Sequence, residues 1–179
     1  ANKFEREQGT VTLNYAPIAN EQAPFGGQSV DIIMGYAVHE TGMQKWANTE
    51  DDLIKSFHRR EGLGLSTSTM GMTLQQRNEQ KKFLGISRIV ESFHVENKVS
   101  ELYPTLGLYL KEARKLSSMQ DMPPNLAFDL TTDVPCYEAI VSMWGMMMLV
   151  DKQPPLEASL RSMDILNNLI ESTIKAVSG

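Results

Sequence analysis

The sequence has few features of a membrane, secreted or disulfide-stabilised protein. It contains one cysteine among 179 residues, so no disulfide can form within the chain. Its most apolar stretch, residues 139–150, is shorter than the roughly 18 residues that cross a bilayer. The first residues lack the apolar core of a secretory signal. These absences predict a protein without a membrane partner, in the reducing cytoplasm or within a viral particle.

Patterns that bind catalytic metals are incomplete in this chain. His39 and Glu40 begin like a zinc-protease motif, but that motif needs a second histidine four residues after the first, and position 43 is methionine. His58 and Glu61 have the spacing of one part of a di-iron site, which also needs a second such pair and further carboxylates. Because the whole sequence has three histidines, we expect no metal site.

Nucleophile and phosphate motifs are missing as well. No Gly-x-Ser-x-Gly sequence is present, and the glycine-rich segment 62–72 lacks the lysine and the spacing of a phosphate-binding loop. Cys136 follows Pro135 at the expected start of a helix, where a thiolate would be favoured, but we interpret it as a small buried apolar residue. We therefore expect a non-enzymatic protein with no catalytic residue and no cofactor.

What is present is the composition of an ordinary globular domain. Hydrophobic residues make up 41% of the sequence and charged residues 22%, which argues against disorder of the whole chain. Apolar residues recur mainly at spacings of three and four, which predicts a mainly α-helical fold. We expect a compact bundle of six or seven helices, forming a single domain over residues 29–179. An extended N-terminal arm over residues 1–28 precedes it.

Capping residues and glycines set the expected bounds of the helices. Ser29, Thr49 and Thr73 are suitable N-caps, and Gly62 can end the helix that follows Thr49. Gly85 is expected to interrupt a helical pattern that then continues beyond it. The expected helices cover residues 29–46, 50–61, 74–84, 86–103, 104–116 and 135–152, and a last helix begins at Pro154 and Pro155.

The last helix has the most regular apolar stripe in the sequence. Because residues three and four apart share one face of a helix, we expect this stripe to be buried against the helix over 135–152 or against another copy of the chain. Its members are Leu160, Met163, Leu166, Ile170 and Ile174.

The arm alternates polar and apolar residues over 10–15, which predicts at most a short strand, and prolines and glycines follow. Ordering such a segment costs about 1–2 kcal/mol per residue in backbone entropy, so compensating contacts are needed. We expect its apolar side chains to make these contacts, partly on a neighbouring copy in a homo-oligomer. The candidates for this assembly contact are Val11, Leu13, Tyr15 and Phe25.

Charge is distributed unevenly along the chain. The net charge of −5 combines a basic middle with two acidic flanks. Residues 55–115 contain eleven basic and six acidic residues, whereas residues 1–54 and 116–179 each contain three basic and eight acidic ones. The basic middle has three interpretations that stay open: a solvated helix face, a phosphate-binding surface, or a surface that contacts the acidic flanks of another copy.

The phosphate interpretation involves specific side chains. Lysine and arginine bind phosphates without base preference, and no expected helix has the pattern of a major-groove reader, so the expected partner is single-stranded nucleic acid. The candidate contacts are Lys55, Arg59, Arg60, Arg77, Lys81, Lys82 and Arg88. Phe57, Phe83 and Phe93 lie in the same segment, where they can stack on bases or belong to the core.

Together these features predict a structural protein that assembles with copies of itself. An extended arm, a helical core and a basic middle are similar in architecture to helical coat and nucleoprotein subunits, although no motif of a particular family is present. We expect a coat- or nucleoprotein-type subunit that contacts single-stranded nucleic acid. The alternatives are a non-enzymatic intracellular protein–protein interaction module and an enzyme of unrecognised type.

Overall fold

The computed structural model of the protein describes residues 3–5, 10–13, 19, 22–64, 69–118 and 122–178. These ranges form two short β-strands and seven α-helices. The strands are β1 (Lys3–Glu5) and β2 (Thr10–Thr12), and the helices are α1 (Gly27–Trp46), α2 (Glu50–Arg60), α3 (Leu74–Leu102), α4 (Pro104–Ser118), α5 (Pro124–Asp129), α6 (Tyr137–Val150) and α7 (Leu160–Ser178). The predicted mainly helical fold of six or seven helices with an arm is confirmed.

The arm contains a small antiparallel hairpin. Strands β1 and β2 pair so that Phe4 lies opposite Val11, and both strands contact α1 of the same chain. The short strand predicted from residue 10 is confirmed as far as Thr12. Its partner strand β1 was not predicted, because a three-residue segment carries too little alternation to be recognised.

Helix α3 is continuous through Gly85, where the sequence pattern predicted an interruption. An added side-chain carbon at Gly85 would have nothing within 4 Å, so the residue lies in open space and no close contact requires a glycine there. A glycine inside a helix costs only about 1 kcal/mol relative to alanine, and apolar residues on both sides of it are packed. Packing therefore outweighs the local preference.

Helix α7 begins five residues later than predicted. The Ser159 hydroxyl accepts a hydrogen bond from the backbone N–H of Ser162 at 3.1 Å, which caps the helix just before Leu160. As a result Leu160 is 86% exposed and does not belong to the buried stripe. Leu166 is fully buried as predicted, whereas Ile174 is 47% exposed. The segment between the expected helices 104–116 and 135–152, where no helix was predicted, contains the short helix α5.

Two clusters of buried apolar residues in the described part of the chain share α3. The larger cluster lies around α6, and its buried members are Leu130, Ala139, Ile140, Met143, Trp144, Met148 and Leu166. The smaller cluster joins α3 to α4 through Val95, Val99 and Leu110, with Val38 and Trp46 of α1 packed against it. Ile89 and Phe93 of α3 pack against the larger cluster, so one helix contributes to both.

Helices α1 and α4 approach each other closely at Gly35. A side-chain carbon added there would lie 2.2 Å from the carbonyl oxygen of Tyr109, which is shorter than any normal contact. The position therefore requires glycine. No helix in the described part of the chain is both long and apolar enough to cross a membrane.

Candidate functional site

The first candidate site is the α2–α3 hairpin, formed by α2 and residues 74–88 of α3. Arg88 of α3 makes an ion pair with Glu50 at the start of α2, and Gln80 hydrogen-bonds His58 near the end of α2 at 3.2 Å. The start of α2 contacts α3 at residue 88 and the end of α2 contacts it at residue 80, so the two helices run antiparallel. Lysines and arginines that are distant in sequence are thereby brought onto one pair of helices.

Both helices of this hairpin begin at a capping box, as the sequence predicted for the cap residues. The Thr49 hydroxyl accepts from the backbone N–H of Asp52, and the Asp52 carboxylate accepts from the N–H of Thr49. Thr73 and Gln76 make the same reciprocal pair at the start of α3. Gly62 ends α2 with a positive φ of 68°. Local sequence therefore determines where both helices begin.

Three of the seven side chains that were predicted to contact phosphate instead interact with other side chains of the protein. Arg88 pairs with Glu50, and Lys82 pairs with Glu79 at 3.3 Å. Lys82 also lies 5.2 Å from the centre of the Tyr137 ring on α6, so it faces the core helices. These interactions reduce the charge that both side chains can offer to a ligand.

Arg60 is the third occupied cation. Its guanidinium lies 5.2 Å from the centre of the Phe57 ring and 5.1 Å from that of Phe83, and its Nε is 2.9 Å from Glu61. The two rings are themselves 5.6 Å apart, and Phe57 is fully buried. Phe57 therefore belongs to the core and is not available for stacking on bases. Arg60 covers this ring pair and holds α2 against α3.

The remaining four cations form what we call the basic quartet, namely Lys55, Arg59, Arg77 and Lys81. All four are exposed, and none has an ion-pair partner in the described part of the chain. Lys55 and Arg59 are four residues apart on α2, and Arg77 and Lys81 are four apart on α3, so each pair shares a helix face. The quartet is a set of accessible positive charges on two packed helices.

The predicted assembly residues lie in different surroundings. Val11 is in β2, and Leu13, just after it, is half-buried. Phe25, two residues before α1, is 47% exposed, and Val30 and Met34 on α1 are 48% and 40% exposed. Tyr15, the fourth candidate, lies outside the described residues.

A second candidate site was not predicted: a polar cluster that we define as the buried Glu96 with the half-buried His39 and Arg114. Glu96 is 6% exposed and accepts hydrogen bonds from both neighbours. His39 Nδ1 donates to its Oε1 at 2.8 Å, and Arg114 donates to its Oε2 from Nε and Nη2. The three residues come from α1, α3 and α4, so packing of these helices creates the cluster.

The polar cluster forms one side of a cavity of about 760 Å³ among α1, α3, α4 and α6. Apolar side chains of α6 also line the cavity, namely Met146, Leu149 and Val150. Glu40 also lines the cavity beside the cluster. The volume is within the range of about 300–1,000 Å³ that is typical of small-molecule sites. The cavity therefore combines apolar surface with a few convergent polar groups.

One sequence signal pointed to this cluster. Glu96 lies seven residues after Ile89 and three after Phe93, on the apolar spacing of α3. A carboxylate at such a position indicates a buried charge, which needs a partner. No sequence pattern identified its partners, His39 and Arg114, which lie 57 and 18 residues away in the sequence.

Cys136 is a hydrogen-bonded cap residue and is only half-buried, which corrects the interpretation as a buried apolar side chain. Its thiol donates to the Asp129 carboxylate at 3.1 Å, and its sulfur accepts from the backbone N–H of Ala139 at 3.4 Å. The contact with Asp129 raises the pKa of Cys136 above its ordinary value, outweighing the helix N–H that lowers it. A reactive thiolate is therefore disfavoured.

Among the residues that the structure describes, no group of three or more histidine, cysteine or acidic side chains is placed to hold a metal ion. No protein-family model matches the chain, and comparisons with curated proteins and with solved structures likewise find no match.

Proposed function

We propose that this protein is a structural subunit that assembles with copies of itself and contacts the phosphates of single-stranded nucleic acid through the basic quartet. The observation that carries the proposal is the division of the cations on the α2–α3 hairpin. Arg60, Lys82 and Arg88 have partners, whereas the quartet is exposed and has no ion-pair partner among the described residues. Exposed cations without partners can each release a counterion by neutralising a phosphate.

The scaffold beneath the quartet supports this proposal. Capping boxes begin both helices, and the Phe57, Phe83 and Arg60 contacts hold them together. The positions of the helices are thus set before any ligand binds, so binding does not carry the additional cost of ordering the helices. Since lysine and arginine on helix faces contact phosphate oxygens and not base edges, binding should be independent of base sequence.

Self-assembly is supported by apolar side chains near the arm. Phe25, Val30 and Met34 are each at least 40% exposed at or near the start of α1. Exposed apolar side chains that lie together are typical of protein–protein contacts. We expect the variant Val30→Ser/Met34→Ser to lose self-association in light scattering, whereas Leu156→Ser, at a fully exposed leucine elsewhere, should not. Equal loss or equal retention of association in both variants would contradict this role for α1.

The test of nucleic-acid binding is a salt titration with a fluorescent single-stranded oligonucleotide. The variant Lys55→Gln/Arg59→Gln/Lys81→Gln removes three charges from the quartet. A matched control, Lys111→Gln/Arg161→Gln/Lys175→Gln, removes two lysines and one arginine at exposed positions on other helices. Both variants have the same net charge, so a difference between them reports position.

We expect the quartet variant to lower the slope of log affinity against log salt by about 2 units, since each contact to single-stranded phosphate contributes about 0.7. The control should lower it by less than about 1 unit, because loss of net charge alone weakens only the long-range attraction. Equal slopes for the two variants, or no binding by the wild-type protein at low salt, would overturn the proposal.

A further inference from the structure

The cavity beside the polar cluster has a charge pattern that restricts its ligand. Glu96 and Arg114 form an ion pair, so together they contribute no net charge to the lining. His39 donates its Nδ1–H to Glu96, because an ionised carboxylate can only accept, and its Nε2 remains for another partner. Glu40 is the further charged residue of the lining, and within the described residues its carboxylate has no hydrogen bond or ion pair.

A second hollow of about 510 Å³ adjoins this cavity and shares His39 and Glu40 with it. It adds the carboxylate of Glu91, together with Glu50 and Arg88, which form an ion pair and so contribute no net charge. The region around Glu40 therefore has an excess of negative charge. An anionic ligand would meet repulsion here, and a cation would be attracted.

The part of the lining that α6 contributes favours a ligand with an apolar body. Met146, Leu149 and Val150 of α6 face the cavity, and Gly145 of the same helix packs on Ile89 of α3, which fixes the position of this wall. A ligand that covers these side chains gains from burial of apolar surface. Its polar group would then lie toward α1, where Glu40 and His39 are.

We propose that this cavity binds a small apolar amine, with the ammonium group on the Glu40 carboxylate and the apolar body against α6. An ammonium has three N–H donors, which can be accepted by the carboxylate oxygens of Glu40. A charge-assisted hydrogen bond in a partly enclosed site is stronger than one between neutral groups. The proposal is independent of nucleic-acid binding, because the quartet does not line the cavity.

The test uses three probes with one phenyl ring and different charge: 2-phenylethylamine, 2-phenylethanol and 3-phenylpropionate. Binding is followed by isothermal titration calorimetry with the whole chain. We expect saturable binding of the amine, at least tenfold weaker binding of the alcohol, and no detectable binding of the carboxylate. Failure of the amine to saturate, or equal affinity for the alcohol or the acid, would overturn the proposal.

The variants separate Glu40 from general charge effects. Glu40→Gln should weaken amine binding at least tenfold, because it removes the charge and preserves the size. Glu157→Gln, an exposed glutamate outside the cavity, changes the net charge equally and should stay within twofold of the wild-type protein. If both variants bind alike, Glu40 does not hold the amine and the proposal is wrong.

A third variant keeps the test decisive should Glu40→Gln fail to fold. Val150→Phe occupies part of the cavity from the end of α6. It should weaken the binding of both the amine and the alcohol, because it reduces the space for the phenyl ring that the two probes share. Unchanged affinity for the amine in this variant would mean that the amine binds elsewhere, and would contradict the proposed site.

Discussion

The two ends of α3 differ in the burial and pairing of their charged side chains. Toward the C-terminal end, Glu96 is buried and holds His39 and Arg114 from two other helices. Toward the N-terminal end, Arg77 and Lys81 extend into solvent without an ion-pair partner in the described part of the chain. Both ends belong to the same basic segment of the sequence. The basic residues of that segment therefore include Arg114, which stabilises the fold, as well as Arg77 and Lys81, which are available to a ligand.

The difference follows from what each end packs against. Val95 and Val99 place the C-terminal end between α1 and α4, so a charged side chain there must be paired. The N-terminal end packs on α2 along one face through Gln80 and Phe83, and its outer face remains in water. Exposed charges in water cost little to leave unpaired. Burial thus determines which charges are structural.

The largest expected effect is at the buried end. Arg114→Leu should destabilise the protein by about 3 kcal/mol, because it leaves the Glu96 carboxylate buried with only His39 as a partner. Urea unfolding measures the change, with Arg161→Leu at an exposed position as the control. The double variant Arg114→Leu/Glu96→Leu should be less destabilised than Arg114→Leu alone. If the double variant loses more than the single one, the buried charge is not the cause.

An intermediate effect is expected at the start of α3. Thr73→Ala removes the side-chain cap of the α3 N-terminus and should cost about 1 kcal/mol of unfolding free energy. Thr41→Ala, at an exposed threonine inside α1, makes the same chemical change without removing a cap and should not lower the unfolding free energy, because alanine is the better helix former. Similar losses at both positions would mean that the capping box contributes nothing to α3.

The smallest effect on stability is expected for the quartet. Lys55→Gln/Arg59→Gln/Lys81→Gln should change the unfolding free energy by no more than about 0.5 kcal/mol, because exposed substitutions away from packing contacts rarely matter. The same variant is the one expected to lose nucleic-acid affinity. A loss of about 2 kcal/mol or more in urea unfolding would show that these cations are structural, and the contrast between the two ends would fail.

The sequence predicted features that depend on neighbouring residues. Thr49 and Thr73 were recognised as caps because a cap needs only the residue three positions later. The start of the last helix was misplaced for a related reason. Pro154 and Pro155 are suitable first-turn residues, but Ser159 caps the helix with help from its contact to the Leu130 carbonyl, 29 residues away.

Features that depend on packing were not predictable. The partners of Glu96 come from helices whose relative positions no local pattern specifies. The continuity of α3 through Gly85 likewise depends on contacts made by its flanks and not on glycine itself. Within the predicted basic segment, the sequence named the right residue types but could not separate the quartet from Arg60, Lys82 and Arg88, whose partners lie up to 55 residues away.

The close approach of α1 and α4 at Gly35 has a consequence for the evolution of this protein. Any side chain at that position would meet the backbone oxygen of Tyr109 at 2.2 Å, and a backbone cannot move aside as a flexible side chain can. Gly26 and Gly27, where an added carbon has nothing within 4 Å, carry no such constraint. In homologues that diverge until their overall similarity is faint, position 35 should therefore stay glycine while positions 26 and 27 drift. A sequence alignment in which position 35 varied freely would mean that those homologues pack α1 against α4 differently.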